Sequence, residues 1–142
     1  MKGLIKFLAT GFYSGYAPIM PGTVGSLVAA VICYFIAFTW WQILLICAVS
    51  FWICHQGEKV FGESDPGKIV LDEFCGMFVA AWRLNSIGSI LVAFLLFRLF
   101  DIWKPLFIRR LQVLPGGWGV VFDDLAAGLL ARLLIAFYFI IF

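Results

Sequence analysis

Charged residues are scarce in this sequence. Only 13% of the residues are charged and the formal net charge is +2, whereas 64% are apolar. A typical soluble domain has about a quarter charged residues and just under half apolar residues. A chain of 142 residues cannot bury so much apolar surface in a core of its own. The composition therefore predicts a protein embedded in a lipid membrane, and the absence of a basic stretch interleaved with aromatic residues argues against nucleic acid as a partner.

Several catalytic signatures are also missing. The four cysteines lie in apolar runs without metal-ligand spacing, which predicts small buried side chains and no disulfides. No cysteine is followed six positions later by arginine, no Asp-x-Asp occurs, and His55 is the only histidine. These absences exclude the cysteine-phosphatase loop and a two-histidine phosphotransfer mechanism.

Five apolar stretches predict an all-α fold, namely a single-domain, membrane-embedded helical bundle of about five main helices over residues 1–142. The stretches are residues 23–41, 42–54, 66–82, 87–103 and 124–142. A membrane-spanning helix needs about 20 residues, with about 17 as the lower limit. The first and last stretches qualify, while the middle three are short or marginal, so whether all five cross the membrane stays open.

Residues that typically start or end helices support the boundaries of these apolar stretches. Asp65 before Pro66 predicts an N-cap followed by proline at the first helical position. Pro105 predicts that the preceding helix ends near Lys104. The segment 115–117, Pro-Gly-Gly, predicts a break before the last helix, which Asp123 or Asp124 is suited to cap.

The distribution of basic residues predicts the orientation. By the positive-inside rule, Lys2 and Lys6 place the N-terminus in the cytoplasm. If all five stretches cross, the charged segments 55–68 and 103–122 return to the cytoplasmic side, and Arg83 is the only charged link residue on the other side. Every polar motif then lies at the cytoplasmic face.

Carboxylates within apolar helices are costly and point to function. They are Asp72, Glu73, Asp101, Asp123 and Asp124. A divalent cation would relieve their mutual repulsion, and an oxygen-only ligand set favours Mg²⁺ over Zn²⁺. Three alternatives stay open: Asp123 and Asp124 as caps of the last helix, Asp101 as the partner of a nearby base, and separate roles for Asp72 and Glu73, which point about 100° apart on a helix.

Other residues suit a phosphate group. Thr23 and Ser26 open the first apolar stretch, where free backbone N–H groups favour an anion, although either is also consistent with an ordinary N-cap. Arg98 and Lys104 could bind phosphate, and a guanidinium can do so through two hydrogen bonds. Together with membrane access, this inventory suggests metal-assisted hydrolysis of a phosphate ester on a lipid. A carboxylate would orient or deprotonate water, or an aspartate would attack directly.

At these residues the chain resembles the phosphatidylglycerophosphatase A family. The resemblance covers roughly residues 11 to 128 and rests on four ordered strings: Pro21-Gly22-Thr23 with Gly25-Ser26, Asp65-Pro66 leading to Asp72-Glu73 and Gly76, Phe97-Arg98 with Phe100-Asp101 and Lys104-Pro105, and Gly116-Gly117 leading to Asp123-Asp124 and Ala127-Gly128. Phe107 and residues 120–122 depart from the family pattern.

The resemblance implies an all-α bundle that uses Mg²⁺ to dephosphorylate phosphatidylglycerophosphate to phosphatidylglycerol at the bacterial inner membrane. It also implies that the five carboxylates, Arg98 and Lys104 belong to the site. The expected partners are the phospholipid and the membrane, with no obligate protein partner. Two other functions stay open, a small ion carrier and a non-catalytic membrane subunit, and the concentration of polar residues at one face argues against the carrier.

Overall fold

Helices make up the regular structure of the protein. The computed structural model describes residues 1–115 and 117–142. Within these residues there is no strand, and the helices are α1 (Lys2–Ala9), α2 (Pro21–Phe35), α3 (Trp40–Phe61), α4 (Leu71–Ala80), α5 (Ile87–Trp103), α6 (Leu106–Leu111) and α7 (Gly117–Ile141), with a short 3-10 turn at Ser14–Tyr16. The predicted all-α class is confirmed. The count exceeds five because α1 and α6 are short additional helices of eight and six residues.

Helix α4 lies at the centre of the bundle. It packs against α2, α3, α5 and α7, and the longer helices run alternately up and down. The starts of α2, α4 and α7 therefore lie at the same end of the bundle as the ends of α3 and α5. This end is called the polar end below, and the opposite end, with the links 36–39 and 81–86, is called the distal end.

The first two apolar stretches divide differently from the prediction. Helix α2 ends at Phe35 after 15 residues, so the prediction that residues 23–41 form a spanning helix is wrong. The first apolar stretch is divided because a capping box at Thr39 starts a new helix. The backbone N–H and the hydroxyl of Thr39 both donate to Gln42 Oε1, at 2.9 and 2.8 Å. Helix α3 starts there and continues past Cys54 to Phe61, because polar residues can extend a helix beyond its apolar stretch.

The predicted start of the third helix at Asp65 and Pro66 is also wrong. Helix α4 begins only at Leu71, and Asp65 has a positive φ of 50° with its N–H donating to Glu58 Oε1 at 3.1 Å. The segment before α4 forms a turn, in which the N–H of Ile69 donates to the carbonyl oxygen of Pro66, and the N–H of Val70 donates to the carbonyl oxygen of Ala9 at 3.0 Å, which ties the segment to α1. A contact remote in sequence thus delays the helix.

Helix α7 starts earlier than predicted. It begins at Gly117, so Asp123 and Asp124 lie in its second turn and the prediction that one of them caps it is wrong. Gly116, part of the predicted break, lies outside the described residues. By contrast, α5 ends at Trp103 with Lys104 as its C-cap, as Pro105 predicted.

Among the described residues, two helices are long and apolar enough to cross a membrane. They are α3, with 22 residues, and Trp118–Ile141 within α7, with 24. Large apolar side chains face outward on both helices, including Leu44, Trp52 and Leu133. Such a surface is unfavourable in water and suits a lipid environment.

The backbones of α4 and α7 approach each other closely. A Cβ atom on Gly76 would lie 2.6 Å from the carbonyl oxygen of Asp124, and a Cβ on Gly128 would overlap the backbone of Gly76. The absence of a side chain at Gly76 therefore lets α7 approach α4. Because Asp72, Glu73 and Asp124 flank this crossing, its closeness brings their side chains together.

The crossing predicts opposite outcomes for two glycine-to-alanine changes. Gly128→Ala is expected to lower the free energy of unfolding by about 1–3 kcal/mol, because the methyl group would push α7 off α4. Gly88→Ala, also on a helix, meets nothing within 4 Å and is expected to be neutral or stabilising by up to about 1 kcal/mol. Thermal unfolding in detergent measures both, and equal effects would contradict the close crossing.

Candidate active site

All five predicted carboxylates lie at the polar end of the bundle. Asp72 and Glu73 occupy the first turn of α4, where the helix dipole favours negative charge. Asp101 lies in the last turn of α5, and Asp123 and Asp124 in the second turn of α7. The four aspartates are at most 9% exposed. Three separate helices therefore deliver buried carboxylates to one region.

Three of these carboxylates form a compact acidic group. Ligand oxygens of Asp72, Glu73 and Asp124 all lie within 4.8 Å of one another. Although Asp72 and Glu73 are adjacent on α4, Asp124 approaches from α7 and completes the group. Asp72 and Glu73 therefore contribute oxygens to the same group despite their different directions on the helix.

The acidic group fits a hard divalent cation. Asp72 Oδ1, Glu73 Oε2 and Asp124 Oδ2 are buried, and none has a hydrogen-bond partner among the described residues. Buried carboxylates at this separation repel each other unless a cation or protons intervene. Oxygen-only ligand sets of this kind suit Mg²⁺, Mn²⁺ or Ca²⁺.

The remaining two carboxylates form ion pairs. Arg98 Nη1 donates to Asp101 Oδ2 at 2.5 Å, and Lys104 Nζ donates to Asp123 Oδ2 at 2.6 Å. The alternative of a local partner for Asp101 is thus realised with Arg98, while Lys104 bonds to a residue 19 positions away. The two pairs lie beside the acidic group, because Gly22 adjoins both Glu73 Oε1 and Arg98 Nη1, and Asp123 is next to Asp124 on α7.

Lys104 is placed by the end of α5. It is the C-cap, with a left-handed φ of 46°, and this turn directs the chain towards α6. Burial alone would lower the pKa of the Lys104 ammonium, but its hydrogen bond to Asp123 and the nearby aspartate charges outweigh this effect and raise the pKa. Lys104 therefore remains positively charged at physiological pH and can attract an anion.

Thr23 and Ser26 lie on the first two turns of α2, and Ser26 contacts Arg98 of this site, but neither residue caps the helix. The N-cap is Met20, with a left-handed φ of 50°. Ser26 Oγ donates to the carbonyl oxygen of Gly22 at 2.8 Å and accepts from Arg98 Nη1 at 3.4 Å. Thr23 Oγ1 is buried without a hydrogen-bond partner among the described residues. The N-cap alternative is thus wrong, whereas binding of phosphate by Thr23 and Ser26 stays a prediction.

Gly22 is a site residue whose role the sequence reasoning missed. A Cβ atom there would overlap Glu73 Oε1 and lie 3.5 Å from Arg98 Nη1. The absence of a side chain lets the start of α2 approach the Glu73 carboxylate. The string Pro21-Gly22-Thr23 drew attention to this turn, but only the packing of α2 on α4 shows what the glycine accommodates.

The fold and the site define a class: an apolar helical bundle that gathers buried carboxylates and two basic residues at one end. Sequence comparison then identifies the family. The chain belongs to the phosphatidylglycerophosphatase A family, whose family model matches residues 7–139. It is accordingly a lipid phosphatase, a hydrolase of phosphate monoesters.

Individual relatives agree with this assignment. The chain is 39% identical over 132 residues to phosphatidylglycerophosphatase A of Escherichia coli (strain K12), covering 87% of this chain and 77% of the relative. It is 36% identical over 144 residues to the protein of the same name from Haemophilus influenzae, covering 92% and 86%. A candidate phosphatidylinositol-3-phosphatase from Bacteroides thetaiotaomicron is 36% identical over 143 residues, covering 91% and 89%. No solved structure matches the chain.

The acidic group predicts stabilisation by a divalent cation. Adding Mg²⁺ to the protein in detergent is expected to raise its melting temperature, since a ligand at a hundred times its Kd adds about 2.7 kcal/mol. Asp124→Asn is expected to lose this increment and to be more stable than the unsubstituted protein in EDTA, because one repelling charge is gone.

The matched control is Glu63→Gln, which neutralises an exposed carboxylate near the same end. It is expected to keep the full Mg²⁺ increment. The same increment in Asp124→Asn and in the unsubstituted protein would mean that the cation binds elsewhere.

Proposed function

We propose that the protein is a Mg²⁺-dependent phosphatase that hydrolyses phosphatidylglycerophosphate to phosphatidylglycerol and inorganic phosphate in phospholipid biosynthesis. It acts as a single domain, residues 1–142, at the cytoplasmic face of the bacterial inner membrane, and needs no obligate protein partner. The observation that carries this proposal is the acidic group of three oxygen ligands within 4.8 Å, flanked by a guanidinium and an ammonium.

The substrate headgroup complements the charges at the polar end. A phosphate monoester carries about −1.5 to −2 charges at neutral pH. Arg98 and Lys104 supply two positive charges, and charge-assisted hydrogen bonds to phosphate are strong. Arg98 Nε and Thr23 Oγ1 have no hydrogen-bond partner among the described residues, so each retains hydrogen-bonding capacity for a phosphate oxygen.

Mg²⁺ held by Asp72, Glu73 and Asp124 would polarise the phosphoryl group and offset its negative charge. Arg98 and Lys104 orient the phosphate from the other side, each steadied by its own carboxylate. Asp123 Oδ2 accepts a hydrogen bond from Lys104, whereas Asp123 Oδ1 has no hydrogen-bond partner among the described residues. That oxygen is suited to accept a proton from the attacking water. One water is consumed: its oxygen bonds to phosphorus while the bond from phosphorus to the glycerol oxygen breaks. The proton that Asp123 accepts is matched by one that the departing glycerol oxygen takes up from solvent, so this oxygen leaves as an alcohol.

The membrane placement follows from the apolar exterior and the position of the site. All eight acidic residues lie at or next to the polar end, and so do the basic residues other than Arg83 and Arg132. An excess of Lys and Arg in links is typical of the cytoplasmic side. A site at the end of a membrane bundle meets lipid headgroups directly, so the scissile phosphate can enter while the acyl chains stay in the bilayer.

Phosphate release from phosphatidylglycerophosphate in detergent micelles tests the activity. EDTA is expected to abolish turnover and added Mg²⁺ to restore it. Asp72→Asn and Asp123→Asn are expected to lower kcat by roughly 10²-fold or more, the scale of losing a positioned acid–base or metal-binding group. Glu63→Gln serves as the unaffected control. Undiminished turnover in either aspartate variant would overturn the role proposed for that residue.

Substrate choice is measured in the same assay. Phosphatidate and phosphatidylinositol 3-phosphate are expected to be hydrolysed with lower kcat/KM than phosphatidylglycerophosphate. A preference for phosphatidylinositol 3-phosphate, the lipid in the name of the Bacteroides relative, would overturn the proposed substrate and retain the lipid phosphatase.

The orientation can be measured by labelling introduced thiols. Glu63 lies near the polar end and Asn85 at the distal end, and both are exposed. With a membrane-impermeant maleimide, Asn85→Cys is expected to react in right-side-out vesicles and Glu63→Cys only in inside-out vesicles. The unsubstituted protein, whose native cysteines are buried or half-buried, gives the background. The reverse pattern would place the site on the outer face.

A further inference from the structure

Arg132 is a cation that the proposed reaction does not use. It lies on α7, eight residues beyond Asp124 and therefore about 12 Å farther along the helix. Its Nε donates to the carbonyl oxygen of Trp82 at 2.8 Å, and its Nη1 is buried without a hydrogen-bond partner among the described residues. The sequence offered no firm account of this arginine, and no carboxylate pairs with it among the described salt bridges.

A second arginine lies on the other side of Trp82. Arg83 has a positive φ of 60°, and its guanidinium sits over the Trp82 ring, 5.9 Å from the ring centroid. One guanidinium therefore contacts the carbonyl of Trp82 and the other its indole. The Asp and Glu residues all belong to the polar end, so this pair of positive charges has no acidic counterpart in the distal half of the bundle.

Beside Arg132 an apolar groove opens between α3 and α7. Its volume is about 440 Å³, and its walls include Leu44, Leu129 and Leu133, all more than half exposed. Grooves that bind small molecules have volumes of about 300–1,000 Å³. Trp40 and Trp82 line the same groove, and tryptophan is enriched where a membrane protein meets lipid headgroups.

An arginine in a membrane helix usually extends its side chain to the headgroups. Arg132 is restrained from doing so, because the hydrogen bond to Trp82 holds its guanidinium against the bundle. An anion must therefore come to the arginine. Since the groove beside it is walled by exposed leucines, the ligand that complements both features carries an anionic headgroup and an apolar tail.

We propose that this distal groove binds an anionic phospholipid, separate from the substrate at the polar end. Arg132, which lines the groove, contacts the headgroup phosphate, Arg83 adds a second positive charge beside Trp82, and an acyl chain lies along Leu44, Leu129 and Leu133. The proposal rests on the proposed insertion of the chain into a membrane, but not on the identity of the substrate. By joining α3, the end of α4 and α7, the bound lipid would stabilise the distal side of the crossing that carries the acidic group.

Binding can be measured by thermal unfolding of the full chain in an uncharged detergent containing EDTA. The probes are dioleoylphosphatidylserine, dioleoylphosphatidylcholine and inorganic phosphate. Phosphatidylserine is expected to raise the melting temperature at lower concentration than phosphatidylcholine, and inorganic phosphate to leave it unchanged. Equal potency of the two lipids, or an equal shift with inorganic phosphate, would overturn an anionic-lipid site.

Substitutions then locate the lipid. Arg132→Gln is expected to weaken the apparent affinity for phosphatidylserine by about tenfold or more, the scale for losing a charged hydrogen-bond partner. Arg83→Gln, at an exposed position where misfolding is not expected, should weaken it about two- to fivefold. Arg109→Gln removes the same charge from an exposed position near the polar end and is expected to leave the affinity unchanged.

Unchanged affinity in both Arg132→Gln and Arg83→Gln would overturn the site, and so would an equal loss in Arg109→Gln. If Arg132→Gln does not fold, two other variants test the site. Arg83→Gln must then weaken phosphatidylserine binding, and the charge-conserving Arg132→Lys must retain most of the binding. Phosphate release is measured in parallel. A variant or lipid that fails in the binding experiment does not contradict the proposed activity, and an inactive protein that still binds phosphatidylserine does not contradict the distal lipid site.

Discussion

The close crossing of α4 and α7 is the constraint on which the site depends. Gly76 and Gly128 let the two backbones meet without intervening side chains. Asp72 and Glu73 precede the crossing on α4, and Asp124 precedes it on α7, so the approach of the helices sets the separation of the carboxylates. A larger residue at either glycine would widen the group and weaken its fit to a small cation. Packing and chemistry are thus coupled at one point of the bundle.

Electrostatics explain why the five carboxylates divide into two sets. Asp101 forms an ion pair with Arg98 and Asp123 with Lys104, so the charges of these two aspartates are largely offset within the protein. In the part of the chain that the structure describes, the acidic group of Asp72, Glu73 and Asp124 has no such ion-pair partner, which supports the proposed cation. The dipole of α4 favours charge on its first turn, but this contribution of roughly 0.3–1 kcal/mol is small beside the repulsion of three buried carboxylates.

The two ends of the bundle present different chemistry to a bilayer. The polar end combines the acidic and basic groups to which hydrolysis of the lipid phosphate is assigned in the proposed function. The distal end has arginines without carboxylates and an apolar groove, a combination suited to holding a lipid rather than to reacting with it. Between the two ends, α3 and α7 present apolar side chains outward, which suits the lipid environment that both proposals require.

Composition and motif order were sufficient to predict the all-α class, the family and the residues expected at the site, because scarce charges in an apolar chain stand out individually. Helix boundaries were harder: the capping box at Thr39 and the link from Val70 to Ala9 overrode the apolar stretches. Which carboxylates group together, and that Lys104 bonds to Asp123, depended on the tertiary structure alone. The sequence by itself determines which charged residues the apolar chain contains. Which of them become neighbours across 19 to 52 positions depends on how the helices cross in the tertiary structure, because only that crossing brings their side chains together.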